Sequence, residues 1–67
     1  MNGAKPSLAL VEAVRAACLE AAREGYESAA VSGLCHEGAV EASLDAIRML
    51  DLKTVVAEHA AASQKKP

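Results

Sequence analysis

The sequence predicts an all-α fold: an antiparallel helical hairpin with a short C-terminal third helix, paired into a four-helix-type homodimer. Three observations lead there. Sixteen alanines among 67 residues favour helix throughout and leave no strand-forming run. Apolar residues recur at three- and four-residue spacing on both sides of one break, Ser32-Gly33. The large aliphatic complement is seven Leu, six Val and one Ile, with Tyr26 the lone aromatic. That is too little to fill a core in so short a chain, and domains of this size lean on disulfides, a metal or a partner chain.

The first six residues, "MNGAKP", are polar and broken by Gly and Pro, so an unstructured arm is expected over 1–6. Ser7 stands where a helix N-cap belongs, its hydroxyl able to accept from the free amides of a first turn that opens at Leu8. From there Val11, Val14, Cys18, Ala21, Ala22, Gly25 and Ala29 share one helical face, and Glu20, Arg23, Glu24 and Glu27 occupy another. Leu8, Leu19 and Tyr26 add a second apolar strip along a flank, making the apolar surface wider than one neighbour of this size covers. Gly25 costs helix stability of about 1 kcal/mol relative to Ala, so it marks a surface where something packs closely. The surface between copies is therefore expected to include Val11, Val14, Cys18, Leu19, Ala22, Gly25, Tyr26 and Ala29.

Gly33 suits the left-handed position after a helix C-cap, with Leu34 placed to fold back, and the chain then reverses. The second helix is expected from about Cys35 to Leu50. Glu37 and Glu41 lie near its positive N-terminal end, and His36, Val40, Ser43, Leu44, Ile47 and Leu50 form its apolar face. Asp51 is a plausible N-cap for a third segment in which Leu52, Val55, Val56 and His59 share a face. The alternative is one continuous bent helix. After Ala62 the stretch "SQKKP" has neither apolar spacing nor an anchor, so the single small domain spans 7–62 and a frayed tail 63–67.

The charge balance narrows the function. Seven basic and nine acidic residues give a net charge of −2, and apart from Lys65-Lys66 neither sign gathers into a stripe. Nucleic-acid affinity rests on clustered Lys and Arg that neutralise phosphates, so no nucleic-acid partner is expected. No segment approaches the ~20 apolar residues that span a bilayer, so no membrane role is expected either. With no apolar run before Leu8 to serve as a signal peptide, the expected compartment is the cytoplasm, with Cys18 and Cys35 reduced.

The stretch Ser32–Ala39, "SGLCHEGA", sets a thiol, an imidazole and a carboxylate side by side. Structural zinc takes four ligands, commonly as closely spaced pairs such as C-x-x-C, and no such pair occurs here. Adjacent helical residues diverge by about 100°, so Cys35 and His36 would share an ion only on irregular backbone. Cys18 lies roughly 25 Å back along the first helix. A thiol at a helix N-terminus beside an imidazole can also be activated as a nucleophile, which requires an oriented base and a shaped pocket. No Gly-rich phosphate loop, EF-hand spacing or paired catalytic carboxylates occur.

The expected function is thus a non-enzymatic helical interaction module, an accessory subunit or assembly factor acting as a homodimer or with a larger protein partner, with no cofactor. The alternative is a transition-metal or thiol-redox site at the corner, carried by Cys35 and His36. Gly38, in the first turn of the second helix, has no evident reason in the sequence to be glycine.

Overall fold

The computed structural model describes residues 7–64, and among them the regular elements are three helices with no strand: α1 (Leu8–Val31), α2 (His36–Arg48) and α3 (Leu52–Gln64). The predicted arm over 1–6 and residues 65–67 of the predicted tail lie outside the described residues. Ser63 and Gln64, assigned to the tail from sequence, belong to α3.

Each boundary has a local cause. At the start of α1 the Ser7 hydroxyl accepts from the Leu10 amide at 3.2 Å, satisfying one of the donors that helical bonding leaves open. At its end the Leu34 amide donates to the Ala29 carbonyl and the Gly33 amide to the Ala30 carbonyl, both at 3.0 Å. This Schellman pairing needs a residue of positive φ, and Gly33 supplies it at 99°. Cys35 then takes extended backbone (φ −70°, ψ 171°) and caps α2 without a side-chain bond.

Glu37 in the first turn of α2 and Arg48 in the last both complement the helix dipole. α2 stops two residues short of Leu50, with Met49 as C-cap. The chain does not continue as one bent helix, because Asp51 opens a new one. Its carboxylate accepts from the Lys53 amide at 3.0 Å, the Thr54 amide at 3.4 Å and the Thr54 hydroxyl at 2.8 Å.

α1 and α2 form the hairpin, and α3 rests on α1 with a smaller contact. The two helices approach closely at Gly25. A methyl group there would stand 2.9 Å from the Ala46 Cβ, 3.0 Å from the Ala42 carbonyl oxygen and 3.4 Å from the Ser43 Cα. The tight contact read from Gly25 is thus made within the chain.

Helix α2 turns its alanine face, Ala39, Ala42 and Ala46, toward α1, and not the Val40/Leu44/Ile47 face that hydropathy ranks first. Small side chains opposite a glycine bring the helix backbones close, where many dispersion contacts offset the small area of each residue. The result is a thin core. Among the described residues only Ala29 (8% exposed) and Ala39 (1%) are buried. The chain has a radius of gyration of 15.3 Å, against about 11 Å for a compact domain of this length.

Candidate interaction surface

Four of the aliphatic side chains left exposed by this packing, Leu19, Val40, Leu44 and Ile47, lie along one side of the hairpin. On α2, His36, Val40, Leu44 and Ile47 follow one another at spacings of four, four and three, which is a single helical stripe. On α1, Leu19 and Tyr26 lie two turns apart on one flank. The Tyr26 hydroxyl and His36 Nδ1 are 2.9 Å apart, in a hydrogen bond whose direction follows the imidazole tautomer. The two rings meet edge to face with centroids 5.8 Å apart.

That contact sets the two stripes side by side along the hairpin. Leu19 is 65% exposed, Val40 37%, Leu44 42% and Ile47 37%, so the combined strip is apolar and uncovered. Among the described residues Tyr26–His36 is the one side-chain hydrogen bond that joins two helices. It pins the first turn of α2 to the α1 flank.

The residues expected at a surface between copies divide accordingly. Ala29 is buried and Gly25 is packed on α2. Val14, Cys18 and Ala22 are partly covered and share the Gly25 side of α1. Leu19, exposed, and Tyr26, half-buried, belong to the strip, and Val11 is exposed. Sequence reasoning did not assign Val40, Leu44 and Ile47 to this surface. It identified them as part of the apolar face of the second helix without naming what covers that face.

At the corner, Cys35 is exposed and His36 is turned to Tyr26, rather than to His59 or a carboxylate. Among the described residues no three His, Cys, Asp or Glu side chains are grouped so as to hold a metal ion. Cys18 is half-buried on α1. Gly38 now has a neighbour: a methyl group on it would lie 3.2 Å from the Leu34 Cδ2, so its bare backbone lets Leu34 fold over the start of α2.

Where α3 leaves α1 there is a shallow groove of about 330 Å³ with a floor of Ala17, Ala21, Leu50 and Val55 and carboxylates of Glu20, Glu24, Asp51 and Glu58 at its rim. Two of these are already engaged. Arg23 holds Glu20 below the ordinary carboxylate value, and Asp51 caps α3. Glu24, four residues after Glu20, is pushed above its ordinary value by that neighbouring carboxylate.

No helix among the described residues is long and apolar enough to cross a membrane. Compared with known protein families, curated proteins and solved structures, the chain matches none.

Proposed function

We propose that this chain is a non-enzymatic helical interaction module that functions through self-association, its working surface being the strip of Leu19, Tyr26, Val40, Leu44 and Ile47. One observation carries the proposal: among the described residues two alanines are buried while eleven large apolar residues stand more than a third exposed. A fold is stable when its helical faces are covered by a second layer, and a chain whose largest side chains remain outside obtains that cover from another molecule.

The test is sedimentation velocity across a wide range of protein concentration. A mass rising from one chain to two or more with concentration is the expected result. A compact single-chain species at every concentration would reject self-association.

A further inference from the structure

The exposed stripe of α2 is self-complementary in charge as well as apolar. Glu37 and Glu41 flank it toward the N-terminal end and Arg48 toward the C-terminal end. Glu41 and Arg48 are seven residues apart, so all three lie on the flank of the stripe away from α1. Leu44 sits between them. We propose that the occupant of the uncovered strip is a second copy of this chain, related by a two-fold axis that crosses α2 at Leu44. The two α2 helices then run antiparallel, and Arg48 of each copy meets Glu41 of the other. The proposal rests on the reading of the chain as a self-associating module, and supplies its partner and geometry.

The direction follows from the charges. A two-fold axis at Leu44 places residues that lie equally far before and after it opposite one another, so Glu41 is brought to the end of α2 that carries Ile47 and Arg48. A parallel two-fold pairing would carry the Glu41/Arg48 flanks of the two copies to opposite edges of the interface, where neither charge meets its complement. Arg48 is free to make the new contact. Its bond in the single chain is to Asp45, three residues away, and both side chains are more than 60% exposed. An ion pair so open to water contributes little. Between the charged flanks, Val40, Leu44 and Ile47 of the two copies meet, with Leu19 and the Tyr26 ring extending the contact onto α1. An isologous arrangement of this kind closes on itself as a pair.

The experiment is a charge swap on the full chain. Glu41→Lys and Arg48→Glu are prepared separately and their association measured by sedimentation at low salt, alone and in equimolar mixture. Each alone sets like charges against each other in the antiparallel pair and is expected to dissociate about tenfold or more easily than wild type. In the mixed pair, the lysine introduced into one chain faces the glutamate introduced into the other, and the unchanged Arg48 of the first faces the unchanged Glu41 of the second. Association is therefore expected to return to the wild-type level. That recovery separates a lost interface from a variant that cannot fold. Single variants that associate as tightly as wild type would overturn the antiparallel geometry while leaving self-association standing. A Leu44→Asp chain that still dimerises would overturn the choice of face. A wild-type chain that stays monomeric would instead remove the underlying reading.

Discussion

Three glycines show how differently one residue type is used, and each calls for a different outcome on substitution by alanine. Gly33 has open space around it but a φ of 99°, so Gly33→Ala meets no atom and is opposed by backbone strain alone, on the order of 1 kcal/mol. Gly25 has ordinary helical backbone, and its added methyl would stand 2.9 Å from Ala46 Cβ and 3.0 Å from a backbone carbonyl. Neither atom yields unless the helices part, and such overpacking costs about 1–3 kcal/mol, more than the helix propensity gained. Gly38 opposes only the Leu34 side chain, with Cδ2 at 3.2 Å and Cβ and Cγ at ordinary contact distances of 3.4 and 3.5 Å, and that half-exposed tip can swing aside. Gly38→Ala is therefore expected to be stabilising by up to about 1 kcal/mol. Urea unfolding of the three variants tests this order, and a destabilised Gly38→Ala would mean that Leu34 is held more firmly than its exposure implies. Gly33 and Ser7 were legible in the sequence because a cap is decided within a few residues. The tight contact at Gly25 was legible as a need, but its partners were not, since Ala42 and Ala46 lie across a turn. Gly38 had no sequence signal at all: its reason is the direction in which the Leu34 side chain folds.

At the level of elements, the break between α2 and α3 depends on Asp51, and its chemistry gives it a pH dependence. Hydrogen bonds from the Thr54 hydroxyl, then from the Thr54 and Lys53 amides, hold the Asp51 carboxyl below its ordinary value of 3.8. A carboxyl held low in the folded state stabilises that state fully above its unfolded value, and the contribution fades as pH falls through the folded one. The cap is thus complete above about pH 4 and is lost in stronger acid. Asp51→Asn keeps an oxygen to accept from the amides and does not titrate, so the start of α3 should lose its acid sensitivity. Chemical shifts of the Lys53 and Thr54 amides, followed from about pH 6 to about pH 2, test this against wild type. A transition persisting in Asp51→Asn would assign it to another group. Taking the difference between the two proteins isolates Asp51 from Glu20 and Glu24, which are shifted in opposite directions. Periodicity located this helix and its cap, whereas it did not show which face of α2 packs on α1. Hydropathy weights Val40, Leu44 and Ile47 most heavily, but close approach to Gly25 requires alanine, and the larger residues are turned aside.

For the whole molecule, self-association makes stability a property of concentration. A chain that is stable only when its strip is covered gains folded population with every increase in partner concentration, so its unfolding midpoint should rise as protein concentration rises. The location of the strip sharpens this into a comparison of two exposed residues. Leu44 is 42% exposed and lies in the strip; Met49 is 82% exposed and sits beyond the end of α2 on the C-cap. Were the single chain the functional unit, truncating either residue would remove only the area it buries there, and Leu44→Ala would fall well short of the cost at a full core position. Covered by a second copy, Leu44 becomes a core residue, and its truncation should cost about 2–5 kcal/mol, the range for buried leucines. Met49→Ala should stay within about 0.5 kcal/mol of wild type, as surface changes do. Leu44→Ala should also flatten the dependence of the midpoint on concentration, because it weakens the step that concentration drives, whereas Met49→Ala should preserve it. Thermal unfolding of the three proteins at several concentrations decides the matter. Equal, small losses for the two variants, with midpoints that ignore concentration, would mean that the strip faces water in the working state, and that two alanines and a glycine contact suffice to hold this hairpin together.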